Sequence, residues 1–426
     1  MDVIKIEGGR TLSGSICVEG AKNSALKLMA ATIMAPGVYH LSNVPHISDV
    51  RLMAKVLMTL GASVSFCDHM VEIDTTGVNN CVTPYELVSQ MRASISVLGP
   101  LITRFGKAVV SMPGGCNLGA RSIDQHIAGL SLLGVKFTNE HGNIHADASK
   151  GLRGTVVTLD FPSVGATENI MMAAVKAKGK TTIENAAREP EIVDLAHMLI
   201  DMGADIRNVG SHVLEVYGVE ELHPCDHTTV GDRIVAGTYI VLGALCADEL
   251  TVTGFDPGHL DIPLTKMELM GVPLTRLERG VVVRRAEHLA PADIQTLPYP
   301  GFPTDMQAQM MVLNTMADGA SFITENIFEN RFMLAAELTR MGAQIRIEDR
   351  HALVKGPCHL TGAQVKSPDL RGGAALVIAG LVAEGTTYVS ETRHIKRGYE
   401  DFVGRLQSIG ANIEHIDVPS EDEDAE

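Results

Sequence analysis

One cysteine in this chain stands where a thiol could do chemistry. The stretch Pro113-Gly114-Gly115-Cys116-Asn117-Leu118-Gly119-Ala120-Arg121 places it among glycines, whose lack of a Cβ lets loop amides approach a ligand closely. Beyond it comes Arg121, a side chain shaped to grip a phosphate or carboxylate through two parallel hydrogen bonds. Taken alone, the stretch has two readings: a glycine-rich turn with an incidental thiol, or a loop that handles a ligand. A Walker-type phosphate loop is excluded, because Gly-Lys-Ser/Thr does not follow the glycines. His126 is near in sequence, but nothing marks it as the partner a thiol protease needs.

Other residues invite the same question. Gly20-Ala21-Lys22-Asn23-Ser24 opens a nearly all-apolar helix over 25–31; orphan N–H groups at its start with a lysine beside them make an anion site, unless Lys22 only snorkels to solvent. Arg92 is the one charge between Val88 and Ile102, in a segment read as an apolar helix beginning at Met91, and is either a surface residue or an anion ligand. In Tyr299-Pro300-Gly301-Phe302-Pro303-Thr304-Asp305-Met306-Gln307 the prolines and glycine fix a tight approach to a helix, and Asp305 at its start is a cap or a general base. Ser163-Val164-Gly165-Ala166-Thr167 joins a strand to a helix, with Thr167 the expected N-cap. Asp232-Arg233 reads as a local surface ion pair. Arg371 follows Ser367-Pro368-Asp369, and Arg397 closes a basic cluster with Arg393 and Lys396. Lys22, Arg92, Arg121, Arg371 and Arg397 share one kind of position, the junction of a loop with a helix, which favours an anion-binding set over a solvated face.

The elements that must position these groups repeat. A helix end, a glycine and an apolar residue recur at Leu60-Gly61-Ala62, Leu133-Gly134-Val135, Met202-Gly203-Ala204, Met270-Gly271-Val272, Met341-Gly342-Ala343 and Ile409-Gly410-Ala411, roughly 70 residues apart. Each glycine has the position of a left-handed helix C′ residue, and an alternating strand follows, as in Gln344-Ile345-Arg346-Ile347. A second turn and strand recur at Gly37, Gly106, Gly179, Gly319 and Gly385, with Asp248-Glu249 replacing the glycine in the fourth unit. A polar loop comes after each such strand, and the Cys116 loop is the second of six. Six interleaved α/β units exceed one continuous core, so two lobes of three are expected, with a boundary near Val230-Gly231-Asp232.

Composition bounds the function. The chain has 426 residues, 45% hydrophobic and 20% charged, as in a globular protein large enough for two domains. No run of 18 apolar residues occurs and the first residues alternate charge with apolarity, so a cytoplasmic location is expected. Seven scattered cysteines, none in a Cys-x-x-Cys pair, suggest neither a disulfide framework nor a zinc site, and most are expected to be small buried hydrophobes. A net charge of −16 argues against nucleic-acid or anionic-membrane binding, so an anionic substrate would need a local concentration of cations. Residues 419–426 read as an acidic disordered tail.

Taken together the motifs resemble the UDP-N-acetylglucosamine 1-carboxyvinyltransferases, the enolpyruvyl transferases of peptidoglycan synthesis. The resemblance rests on Gly20 to Ser24, Pro113-Gly114-Gly115-Cys116 with Gly119-Ala120-Arg121, Asn185-Ala186-Ala187-Arg188-Glu189-Pro190-Glu191-Ile192-Val193-Asp194, Phe302 to Gln307, Phe328-Glu329-Asn330-Arg331 and Asp369-Leu370-Arg371. It covers the chain except the acidic tail. The fold it implies is a two-lobed inside-out α/β barrel of six βαβαββ repeats, three per lobe: residues 22–229 as one lobe with a catalytic loop at about 111–122, and 1–21 with 230–418 as the other. The substrates it implies are phosphoenolpyruvate and UDP-N-acetylglucosamine, with no cofactor, metal, nucleic acid or membrane. By resemblance Cys116 donates the proton and Asp305 is the base at the sugar hydroxyl, with Lys22 and Arg397 also catalytic. Lys22, Asn23, Arg92, Arg121, Arg371 and Arg397 would bind phosphoenolpyruvate. Asn23, Arg92, Arg121, Ser122, Ile123, Asp124, Gln125, Ser163, Val164, Asp305 and Ile327 would line the nucleotide-sugar site. Where some members have a lysine facing the UDP, this sequence reads Phe161-Pro162-Ser163-Val164. The rival readings are the transferase acting on shikimate 3-phosphate and a non-catalytic nucleotide-sugar-binding homologue; the Cys116 loop and the Asn185 run favour the nucleotide sugar.

Overall fold

The computed structural model describes residues 2–88, 92–112 and 123–417, with the side chains of 92–94 excepted. Cys116, Arg121, Ser122 and the acidic tail therefore lie outside the described residues. Internal contacts divide the chain into two compact units, one formed by residues 2–18 and 231–417, the other lying within 19–230.

One repeat shows the building plan. Strand Ile294–Gln295 leads to helix Gln307–Thr315, then strand Gly319–Thr324, helix Met333–Arg340 and the hairpin Gln344–Glu348 and His351–Gly356. The short first strand pairs parallel to the second, with Ile294 opposite Ile323. The last strand pairs antiparallel to the second, Gly319 opposite Gly356, and the third lies outermost against the last. Five sheets among the described residues have this order, and a sixth has three strands. There the first strand is reduced to an isolated parallel bridge from Val82 to Val109.

Distant segments complete these sheets. Asp2–Glu7 pairs antiparallel with Thr386–Ser390 and Asn412–Asp417, and Leu12–Cys17 pairs parallel with Ala247–Thr253. In the other unit His227–Thr228 supplies the parallel strand beside Val38–Ser42. Each unit thus carries three sheets among the described residues.

Helices occupy the middle of each unit and sheets the outside. Arg233–Cys246, Gln307–Thr315 and Leu370–Val382 are buried almost all round and pack on one another. Such all-round burial is the reason Arg233–Cys246 and Leu370–Val382 carry no polar stripe, while Gln307–Thr315 buries Gln307, Gln309 and Asn314 among its apolar residues. In the other unit Lys22–Ala31 and Val164–Ala174 have the same character. Strands of the sheets alternate buried and part-exposed residues, leaving Phe322 and Phe66 on outer faces.

The six glycines read as helix C′ residues, Gly61, Gly134, Gly203, Gly271, Gly342 and Gly410, all have φ between 92° and 107°. No L side chain adopts that conformation cheaply, which explains glycine at every repeat. Asparagines recur just after the second strand, Asn43 and Asn185 directly after it and Asn326 one residue further on. Asn43, Asn185 and Asn326 each follow a second strand and donate through Nδ2 to the first-strand side: to Thr229 O at 2.9 Å, Leu159 O at 2.8 Å and Thr296 O at 3.0 Å.

Several local expectations are corrected. Residues 92–97 form a 3-10 turn, and the α-helix begins only at Leu98. The helix ending at Cys246 runs directly into its strand at Ala247, so the fourth unit needs no turn glycine. Among the six described cysteines only Cys246 and Cys358 are buried; Cys17 and Cys67 are exposed, on strands whose outward face tolerates a thiol.

Candidate active site

The described residues singled out for chemistry fall into two groups, one in each unit. In the unit that holds Asp305, the tight segment with a cis Tyr299-Pro300 bond ends in a 3-10 turn, Thr304–Met306, ahead of helix Gln307–Thr315. Asp305 sits inside this turn and not at the cap position of the helix, which Met306 occupies. Its carboxylate instead accepts from two arginines, Oδ1 from Arg331 Nη2 at 2.8 Å and Oδ2 from Arg371 Nε at 3.3 Å. Both arginine side chains are nearly inaccessible, at 4% and 3%, while Asp305 keeps 28% of its side chain exposed. The carboxylate is therefore held by two buried cations while part of it stays accessible.

Arg371 is held by its own helix start. Asp369 caps helix Leu370–Val382, accepting from the N–H of Arg371 at 2.9 Å and of Gly372 at 3.0 Å. The guanidinium lies 5.4 Å from the centre of the Tyr399 ring, whose hydroxyl sits 2.8 Å from Thr238 Oγ1. Burial works against the charged form, but Tyr399, Asp305 and Asp232 outweigh it and hold the Arg371 pKa above its ordinary value. Its Nη1 is buried without a hydrogen-bond acceptor among the described residues. A buried charged donor without an acceptor is costly, and the surrounding Tyr399, Asp305 and Asp232 offset part of that cost.

The turn Thr392–Arg397, with Arg397 part-exposed at its end, packs against the same helix. A Cβ on Gly373 would fall 2.8 Å from Ile395 Cγ1 and one on Gly398 would fall 2.8 Å from Leu370 Cδ2, so glycine at both places allows the approach. The turn is tied from its other side by Asp2, which accepts from Thr392 Oγ1 at 2.8 Å and pairs with Lys396 and with His415 at 2.9 Å. Burial alone would raise the Asp2 pKa; hydrogen bonds from Lys396, Thr392 and His415 bring it down to about 2. Ile327, further along the loop that follows strand Gly319–Thr324, donates its N–H to Glu325 Oε1 at 2.9 Å.

In the other unit Lys22 is the first residue of a helix whose start has no side-chain cap. Gly20 makes room there, because a Cβ would fall 1.9 Å from Asn43 O. Lys22 is not a snorkelling surface residue: it is 9% exposed and its Nζ lies 2.8 Å from Asp49 Oδ2. Asn23 beside it is exposed. One turn on, Lys27 pairs with the fully buried Glu168 at 2.9 Å. Burial raises the Glu168 pKa, opposed by Lys27. Asp194 anchors the helix start, accepting from Ser24 Oγ and from Val230 N at 3.1 Å, with His227 Nε2 at 2.8 Å.

Ser163, not Thr167, caps helix Val164–Ala174, accepting from Ala166 N at 3.3 Å. Thr167 is fully buried inside the helix, where its hydroxyl accepts from Ala187 N at 3.0 Å and so holds the Asn185 loop. Val164 is part-exposed beside the cap. Ile123 is buried, Asp124 exposed in the first turn of helix Asp124–Leu132, and Gln125 accepts from Phe161 N at 3.5 Å, which joins the Gln125 and Ser163 segments. Backbone 92–97 carries Arg92 in its 3-10 turn; Asn169 accepts from Gly99 N at 2.7 Å and donates to Ile95 O at 3.3 Å, fixing that turn to helix Val164–Ala174.

Asp232 and Arg233 are not a surface ion pair. Asp232 caps helix Arg233–Cys246 through Ile234 N at 2.9 Å and Val235 N at 3.0 Å, both residues are buried, and Arg233 lies 5.3 Å from the Tyr299 ring centre. Sequence reasoning assigned no role to Arg331, Asp49, Asp194 or Glu325. Two of these stood inside quoted motifs, Arg331 in Phe328-Glu329-Asn330-Arg331 and Asp194 at the end of the Asn185 run.

Comparisons with known proteins bear on the family and the fold. A family model described as EPSP synthase (3-phosphoshikimate 1-carboxyvinyltransferase) matches residues 6–406. A UDP-N-acetylglucosamine 1-carboxyvinyltransferase 1 of Staphylococcus epidermidis is 50% identical over 419 residues, 98% of this chain and 100% of that protein. The protein of the same name from Staphylococcus aureus strain N315 matches at the same identity and coverage. Among solved structures, the enolpyruvyl transferase NikO of Streptomyces tendae superposes with a TM-score of 0.90 at 27% identity, covering 98% of this chain and 99% of its own. The EPSP synthase of Acinetobacter baumannii, at 17% identity and a TM-score of 0.76, shares the fold. Two units of three βαβαββ repeats with central helices and outer sheets are that fold, the inside-out α/β barrel. The chain therefore belongs to the EPSP synthase family, on its UDP-N-acetylglucosamine 1-carboxyvinyltransferase branch, and is a transferase.

Proposed function

We propose that this enzyme transfers the enolpyruvyl group of phosphoenolpyruvate to the 3′-hydroxyl of UDP-N-acetylglucosamine with release of phosphate. The observation that carries the proposal from the site is Asp305, a part-exposed carboxylate held by two buried arginines, Arg331 and Arg371. Full-length identity of 50% to proteins named for this reaction supports the choice of acceptor.

The reaction is an addition followed by an elimination. The sugar O3′ bonds to C2 of phosphoenolpyruvate while C3 takes a proton; then the C2–O bond to phosphate breaks as C3 gives a proton up. Asp305 would accept a hydrogen bond from the attacking hydroxyl, aligning its lone pair on C2 and taking its proton. Cys116 would supply the proton to C3. An ordinary thiol, with a pKa near 8.5, is mostly protonated at neutral pH and can donate. Arg371, Lys22, Arg92, Arg121 and Arg397 would hold the carboxylate and phosphate and stabilise charge as the tetrahedral intermediate forms. Asn23, Ile123, Asp124, Gln125, Ser122, Ser163, Val164 and Ile327 would line the nucleotide-sugar site. With Phe161 and Pro162 at the place of a lysine, the Ser163 cap and nearby backbone amides would face the diphosphate.

In the cell this would be a cytoplasmic step toward peptidoglycan precursors. Among the described residues no helix is long and apolar enough to cross a membrane. Phosphate release from phosphoenolpyruvate, measured with UDP-N-acetylglucosamine and with shikimate 3-phosphate as acceptors, tests the proposal. Turnover is expected with the first; turnover with the second alone would replace the reading by its sister reaction.

A further inference from the structure

We infer that Glu325 is a positioning residue that sets two parts of the site at once: the turn bearing Asp305 and the loop bearing Ile327. The inference rests on the proposed roles of Asp305 as base and Ile327 as a sugar contact. Glu325 is 1% exposed and both its carboxylate oxygens are used. Oε1 accepts from Thr296 Oγ1 at 2.8 Å, from Ile327 N at 2.9 Å and from Phe328 N at 3.1 Å. Oε2 accepts from Thr304 Oγ1 at 2.8 Å. Thr304 precedes Asp305, and its hydroxyl oxygen in turn accepts from Arg331 Nη1 at 2.9 Å, the arginine whose Nη2 reaches Asp305.

A buried carboxylate is costly unless its lone pairs are satisfied, and here four donors satisfy it. The donors come from three separate segments: Thr296, the Ile327–Phe328 backbone and Thr304. The two oxygens divide the work. One holds the loop, the other orients the Thr304 hydroxyl so that its lone pair faces Arg331, which then faces Asp305. Phe328, fixed by the first oxygen, also lies under the Arg331 guanidinium, 5.1 Å from ring centre to Cζ. Arg331 is thus located from both branches, and an error in either moves the carboxylate of Asp305.

Substitution separates the branches. In Glu325→Gln the amide oxygen keeps the three donors of the loop branch, while the amide N–H groups face Thr304 and leave its hydroxyl proton without an acceptor. Steady-state kinetics of Glu325→Gln and Thr304→Val, with circular dichroism to verify the fold, should show kcat down about ten- to a hundred-fold, as expected of a misplaced catalytic group. The KM for UDP-N-acetylglucosamine should stay within about twofold, and Thr304→Ser should restore kcat. Glu325→Ala, which cuts both branches, should raise that KM as well; if it does not fold, the first two variants still decide. On an Asp305→Asn background neither Glu325→Gln nor Thr304→Val should lower the residual rate further, because both act through the missing carboxylate. Folded variants with wild-type kcat, or losses that add fully to that of Asp305→Asn, would overturn the inference. Wild-type kcat in Asp305→Asn alone would instead remove the base reading on which it stands.

Discussion

Arg331 and Asp305 are joined by a hydrogen bond of 2.8 Å between residues 26 positions apart, and the arginine side chain is 4% exposed. A second nitrogen of the same guanidinium serves Thr304. This fork fixes both the place and the angle of the carboxylate, which a point charge cannot do. Arg331→Lys should therefore keep the charge and lose the geometry. We expect kcat to fall about ten- to a hundred-fold. Denaturant unfolding should show a loss of about 1–3 kcal/mol, from one buried hydrogen-bonded pair left incomplete. Unchanged kcat in Arg331→Lys would show that charge alone suffices.

The repeats were legible in the sequence because one backbone requirement, a left-handed residue after each helix, leaves glycine at a regular spacing. The nearly all-apolar helix over 25–31 was legible for a similar reason, since burial on every side removes the polar stripe. Local chemistry was harder to read. Ser163 and Thr167 both suit a cap, and which one serves depends on the Asn185 loop arriving to use the Thr167 hydroxyl. Asp232 looked like an ion-pair partner because Arg233 adjoins it, yet its oxygens serve the helix amides. The pairings Lys22–Asp49, Asp305–Arg331 and Ser24–Asp194 were not legible at all. They arise where segments far apart along the chain meet, and no local periodicity encodes that meeting.

Cys116 should be the residue that reacts with the epoxide fosfomycin, a phosphoenolpyruvate mimic. Mass spectrometry after treatment should find one adduct, on Cys116. The competing thiols differ in reactivity: burial pushes Cys246 up to about 12 and Cys225 up to about 11, which leaves the exposed Cys17 and Cys67 as the informative controls. Cys116→Ser should lose most turnover without loss of fold, and Cys116→Asp should retain turnover and escape inactivation, since a carboxylic acid can donate the proton. An adduct on Cys17 or Cys67, or an unchanged inhibition curve for Cys116→Asp, would contradict the assignment.

Asp2 should matter for a residue far along the chain, because it ties down the turn that ends in Arg397. Asp2→Asn is expected to raise the KM for phosphoenolpyruvate several-fold, as the turn loosens, with a smaller effect on the KM for the sugar nucleotide. Its pH dependence has a definite sign. The folded-state pKa, about 2, is below the ordinary 3.8, so the stabilisation is present above pH 4 and is lost as pH falls toward 2. Thermal unfolding of wild type and Asp2→Asn should therefore differ at pH 5 and converge near pH 2. A gap that widens on acidification would contradict the role given to Asp2.

The central claim is addition of the 3′-hydroxyl to phosphoenolpyruvate followed by elimination of phosphate, and the product formed in deuterated water tests it most directly. With UDP-N-acetylglucosamine as acceptor, mass spectrometry and NMR should find an enolpyruvyl ether at the 3′ oxygen, one phosphate released per ether, and deuterium in the vinyl group from proton exchange at C3. No ether with UDP-N-acetylglucosamine, an ether with shikimate 3-phosphate in its place, or a product without deuterium would contradict the account.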